Sequence, residues 1–130
     1  MKSNKLTVWI NKPVDEIFRF CITPPNSTRW IPSVTKEETS EFPIRIGTVY
    51  TLQNKNGNFS EVTVTGIKKN EFVEWISKDK NYHCRYLFKP LDRNTSEFEY
   101  YEWIEKGELE EPFTIDILEK LKRVIEQTGK

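Results

Sequence analysis

From residue 34 to residue 104 the chain keeps to one texture, short β-prone runs separated by turn residues, and a single long amphipathic segment follows. "FSEVTVTGIKK" and "YHCRYLFKP" alternate in polarity over most of their length, and "EFVEWIS" and "SEFEYYEWIE" continue the β-rich pattern. "NKNGN" at 54–58, Lys69-Asn70, "KDKN" and "LDRNT" supply the Asn, Gly and Asp chemistry of tight turns between them. With "GTVYTLQN" and the exposed-looking "VTKEETS", this makes about six consecutive strands on short links, the pattern of an antiparallel meander. Past Gly107, Pro112 stands where a helix can start. Phe113, Ile117, Leu118, Leu121, Val124 and Ile125 then form one apolar stripe, opposite Asp116, Glu119, Lys120, Lys122 and Arg123. Glu119 and Arg123 are spaced to pair across one turn, and Gly129 is a natural stop. A single sheet of this size must cover its apolar face, and this helix is the only long amphipathic element on hand.

Ahead of the meander, "KLTVWIN" reads as one more strand, which makes about seven. Pro13 suits the first turn of a helix, and Val14, Ile17, Phe18 and Cys21 follow on one helical face until Pro24-Pro25 stops it. Asn26 and Ser27 can cap a second, very short helix that reaches about Trp30 and ends at Pro32. No linker, repeat or low-complexity tract interrupts residues 1–130, so one α+β domain is expected. Lys plus Arg and Asp plus Glu balance at 20 each and are interspersed, which gives no basic stripe for nucleic acid. The N-terminus lacks the apolar run of a signal peptide, and no stretch approaches the roughly 20 apolar residues of a membrane span. A cytoplasmic protein without stable membrane insertion is expected, with Cys21 and Cys84 as buried reduced thiols.

This order suggests a curved sheet wrapped round the last helix, with the two short N-terminal helices walling the space left between them: a helix-grip fold. The chain resembles the START-like, or SRPBCC, superfamily of polyketide cyclases, the birch pollen allergen and lipid-transfer domains, nearly end to end. "INKPVDEIFRFCITPPNSTRWIPSV" is similar to that family's opening, an apolar residue, a proline, Val/Ile-Phe/Trp, and a later Trp-x-Pro. "IRIGTVYTL" resembles its Gly-containing strand entry, and "ILEKLKRVIE" its closing helix. The resemblance implies that a hydrophobic or amphipathic small molecule, lipid- or polyketide-like, binds between the sheet and the C-terminal helix. It implies no particular reaction, because only some members are enzymes and they share no catalytic motif. In this layout the short helix around Trp30 walls the cavity near an entrance.

The residues themselves offer little classical chemistry. His83, the only histidine, neighbours Cys84 on a strand, and adjacent strand residues face opposite ways. No metal-ligand spacing and no phosphate-binding glycine motif occurs, so no metal or cofactor is expected. The strand aromatics carry more. Tyr82, Cys84, Tyr86 and Phe88 share one face, as do Phe98, Tyr100, Glu102 and Ile104, and both sets are expected on the concave side. So many hydroxyls among apolar groups suit a partly open pocket better than a dry core. The candidate ligand-binding set is Trp30, Tyr50, Tyr82, Tyr86, Phe98, Tyr100 and Glu102, with Leu118 and Leu121 from the helix. Glu102, if buried among aromatics, is a candidate general acid for a cyclase- or dehydratase-type reaction. A third reading is a protein-interaction module, in which Trp75 and Trp103, assigned to the opposite faces, join Tyr101 in an exposed patch. The expected assembly is a monomer or weak homodimer.

Overall fold

The computed structural model describes residues 1–127; the helix stop expected at Gly129 lies outside them. Seven strands form one antiparallel sheet: β1 (Ser3–Ile10), β2 (Lys36–Thr39), β3 (Val49–Gln53), β4 (Phe59–Lys68), β5 (Phe72–Ser77), β6 (Tyr82–Pro90) and β7 (Ser96–Ile104). Their order is β1-β7-β6-β5-β4-β3-β2, so the meander runs from β2 to β7 and the first strand returns to pair with the last. The expected turns form. Asn54 Oδ1 accepts the N–H groups of Asn56 and Asn58, and Asn70 takes the left-handed conformation (φ 63°) between β4 and β5.

Helix α1 (Val14–Ile22) begins after Pro13, which sits at the N-cap, one residue earlier than expected, and whose carbonyl accepts from Glu16 and Ile17. A single 3-10 turn at Asn26–Arg29 is the second short helix. Helix α2 (Ile115–Gln127) starts three residues after Pro112, leaving Phe113 outside it. Leu118, Leu121 and Ile125 of α2 are buried, and the helix lies along β1. Glu119 and Arg123 stay apart; the i,i+4 pair that forms is Lys122–Glu126 at 2.5 Å, where Lys122 also donates to the carbonyl of Trp9.

Register decides which residues enter the core. Phe98 faces Phe88 across the β6–β7 ladder and Val8 across β1–β7, and it is fully buried. Trp75, expected on the outer face, points inward, because β5 sets it opposite Cys84 and Val73 opposite Tyr86. "EFVEWIS" is apolar on both sides, so alternation cannot choose its inner face and the ladder does. In β4 an extra residue at Thr65 shifts the register between Val64 and Gly66, after which Ile67, opposite Val73, continues the inner row. Gly66 gives the Phe72 ring its place, since a Cβ there would lie 3.0 Å from that ring.

The outer face does not form the expected patch. Tyr101 and Trp103 are half-buried and stacked (4.9 Å), with the Arg85 guanidinium over both, Lys5 over Tyr101, and His83 stacked on Trp103 at 4.7 Å. With Trp75 turned inward, cations and an imidazole cover much of what remains. Replacing Leu118 by Ala is expected to lower the unfolding free energy by about 2–5 kcal/mol, and Lys120→Ala by less than about 0.5 kcal/mol, in urea titrations.

Candidate functional site

The concave face is not packed solid. Between α1, the 3-10 turn and the inner rows of β2–β7 lies a cavity of about 160 Å³, open to solvent on one side. Its floor is aromatic: Tyr50, Trp75, Tyr86 and Tyr100, with Phe113 at one edge. Trp75 packs edge-on against Tyr86 at 4.7 Å and Tyr50 at 5.7 Å, which holds each ring in place. Ile31, Val34, Leu52 and Val62 complete the apolar wall, and the thiols of Cys21 and Cys84 border it. Burial pushes both thiols well above their usual range, so neither is a nucleophile at neutral pH.

Of the residues expected to bind, Tyr50, Tyr82, Tyr86 and Tyr100 line this cavity, while Trp30, Phe98, Leu118, Leu121 and Glu102 do not. Trp30 is fully buried behind the wall, against Tyr86, Phe98 and Phe113 at 6.1–6.2 Å. Leu118 and Leu121 fill the core on the β1 side, so the cavity lies under α1 and the 3-10 turn instead of between sheet and C-terminal helix. The α2 side contributes Phe113, whose ring stacks on Tyr100 at 4.1 Å.

Glu102 is buried and faces inward, and its carboxylate is well engaged. Oε1 accepts from Tyr82 Oη (2.7 Å), whose oxygen in turn accepts from Tyr100 Oη (2.8 Å), and Oε2 accepts from Asn4 Nδ2 (2.9 Å) and the Phe113 N–H (2.8 Å); the Tyr100 hydroxyl lies 3.4 Å from Oε1. Three close donors, with the Tyr100 hydroxyl packed beside Oε1, leave little of the carboxylate's acceptor capacity open. This cluster ties β1, β6, β7 and the entry to α2 together and fixes the Tyr82–Tyr100 hydroxyl pair, 2.8 Å apart, at the cavity edge. Burial pushes both phenols far above their usual range, so they stay protonated and act as hydrogen-bonding groups.

Sequence reasoning missed Glu37. The β2 register sets it opposite Leu52, so in a run that looked exposed it points inward and is 7 % exposed. Ser27 of the 3-10 turn holds it, the backbone N–H donating to Oε1 at 3.1 Å and Oγ to Oε2 at 2.6 Å. Both Glu37 and Ser27 line the cavity. Burial raises the Glu37 pKa, and the two hydrogen bonds from Ser27 oppose the rise only in part. No sequence signal pairs "NST" with "KEET"; folding brings Ser27 and Glu37, ten residues apart, together. The Tyr50 hydroxyl is satisfied by the Ile22 carbonyl (2.6 Å), and that of Tyr86 has no hydrogen-bond partner among the described residues.

No protein-family model matches the chain, and no curated protein matches it significantly in sequence. Solved structures do match its shape. XoxI from Bacillus cereus superposes with a TM-score of 0.77 at 15 % identity, covering 100 % of this chain and 99 % of that one. The Aha1 dimer from Colwellia psychrerythraea gives 0.71 at 13 % identity, covering 100 % of each chain. Norcoclaurine synthase from Thalictrum flavum, in complex with dopamine and hydroxybenzaldehyde, gives 0.69 at 14 % identity, covering 99 % and 89 %.

Two predictions concern the carboxyls. Glu102→Gln, whose oxygen can still accept from Asn4 and Phe113, should cost about 1 kcal/mol of stability, and Glu102→Ala, which strands those donors, about 3 kcal/mol or more, by urea unfolding. Glu37 has a folded pKa above its unfolded one, so the native state holds the extra proton and this group's contribution is lost as pH rises through the folded pKa. Glu37→Gln removes that loss. Its melting temperature relative to wild type should therefore climb between about pH 4 and about pH 8, checked by thermal melts in matched buffers. Together these data place the chain in the helix-grip fold, with its cavity under the first helix.

Proposed function

We propose that this chain binds a small hydrophobic or amphipathic molecule in the cavity beneath α1. The carrying observation is a mostly apolar, aromatic-floored cavity, open on one side, into which a few polar groups converge (Ser27, Glu37, Tyr82 and Tyr86). Its size supports a compact occupant. A cavity of about 150 Å³ takes one benzene ring, so a long acyl chain would have to extend through the mouth near Ser33, Val34 and Leu52. That norcoclaurine synthase, a fold neighbour, was solved with two single-ring molecules agrees with a small-molecule role for this fold.

The alternative, an enzyme of the cyclase or dehydratase kind, draws support from the Tyr82–Tyr100 hydroxyl pair at the cavity edge. Against an acid–base role for Glu102 stands its engagement by three close donors, two of which, Asn4 and the Phe113 N–H, hold β1 and the α2 entry. Binding is the better-supported reading. It is tested by methyl NMR titration with toluene, a single-ring probe. Toluene should shift the methyls of Ile31, Leu52 and Val62, and Val62→Trp, which fills the rim, should remove the response while the spectrum stays folded. Toluene leaving those methyls unmoved would sink the proposal.

A further inference from the structure

The two buried carboxyls of the concave face differ in what they have left to offer. Glu102 accepts three close hydrogen bonds, from Tyr82, Asn4 and Phe113; Glu37 accepts two, both from Ser27, which leaves about half of its acceptor sites unused. Glu37 also lacks a counter-charge. Ser27 faces it from the 3-10 turn, Cys21 from α1, Tyr50 from β3 and Tyr86 from β6. Burial pushes the thiol and both phenols up, so all three are neutral across the physiological range, and none of the described Lys, Arg or His side chains pairs with Glu37. A buried carboxyl with spare acceptor sites and no cation is costly to ionise unless something brings the cation.

The remaining walls suit that cation. Tyr50, Trp75, Tyr86, Tyr100 and Phe113 present five aromatic rings to one small space, and ring faces attract ammonium groups, most strongly where water is excluded. An aromatic cage closed by one carboxylate is the chemistry that selects an amine over an isosteric hydrocarbon. The volume of about 160 Å³ limits the rest of the molecule to about one ring. The geometry points to a compact amine as the occupant, its ammonium group held by Glu37 and the neighbouring Tyr50 and Tyr86 rings and its apolar ring on the rest of the aromatic floor. This rests on the ligand-binding reading above and narrows it to one chemical class.

Bringing the amine in requires the ionised carboxylate, so binding is accompanied by loss of the Glu37 proton wherever that proton is present in the free protein. Affinity for an amine should then rise with pH until Glu37 is ionised unaided, while affinity for a neutral isostere stays flat.

The test uses benzylamine, which stays protonated throughout the range, and ethylbenzene, its neutral isostere, in parallel NMR titrations of the full chain. Benzylamine should bind more tightly than ethylbenzene at about pH 8 and weaken progressively as the pH is lowered to about 4 and Glu37 gains its proton, with ethylbenzene unchanged. In Glu37→Gln, which keeps a partner for Ser27, benzylamine should weaken by about tenfold or more and lose its pH dependence, with ethylbenzene held within about twofold. The wild-type pH profile needs no variant, so it stands even if the substitution disturbs folding. Ethylbenzene binding with benzylamine no tighter and insensitive to pH overturns the amine assignment and leaves the cavity's binding role in place. Neither compound binding overturns both.

Discussion

In-register pairing of β6 with β7 sets Tyr86 against Tyr100, Cys84 against Glu102 and Phe88 against Phe98, all on the same side of the sheet. Everything on the concave face follows from that ladder. β5 adds Trp75 and Val73 to the same rows, β1 adds Asn4 and Val8, and the carboxylate of Glu102 then finds its donors without any rearrangement. A slip of one residue would turn Tyr101, Trp103 and His83 inward and expel the tyrosines. The cavity is therefore a property of the pairing before it is a property of any side chain.

The extended central strands carried most of this in their sequence. The period of two along "YHCRYLFKP" and "SEFEYYEWIE", which sets Tyr82, Cys84, Tyr86 and Phe88 on one face and Phe98, Tyr100 and Glu102 on another, named the inner faces of β6 and β7, and the turn chemistry of 54–58 and 69–70 punctuated the meander. Legibility failed where a run looked alike on both sides. "EFVEWIS" is apolar on both faces, so Trp75 went to the wrong one. "KEET" is polar on both faces, so nothing marked Glu37 as the residue that turns in. Both errors concern strands whose inner side is chosen by their neighbours. The location of the cavity escaped for a different reason. The α2 stripe covers the sheet as expected, but Leu118 and Leu121 were assigned to the ligand, and nothing local says that they close over β1 and leave the tyrosines to α1 and the 3-10 turn.

Burial treats the two inward carboxyls differently because their surroundings differ in donors and not in depth. Glu102 and Glu37 are both nearly inaccessible, 1 % and 7 % exposed. Glu102 lies where three strands and a chain entry converge, so backbone and side-chain donors reach it from every side. Glu37 lies near the edge of the sheet, on a four-residue strand, and only the 3-10 turn faces it with donors. One carboxyl thus serves to join elements, and the other keeps unspent bonding capacity beside an opening.

The stacking of Phe113 on Tyr100, with its backbone N–H held by Glu102, anchors the cavity's edge to the sheet two residues before α2 begins. No described residue of α2 touches the cavity. The last helix thereby puts no described side chain into the cavity and serves the packing of Leu118, Leu121 and Ile125 and the bonds of Lys122 and Glu126 to Trp9 and Asn11. Changes along the closing helix can therefore alter how firmly the sheet is covered while leaving the cavity's lining residues as they are.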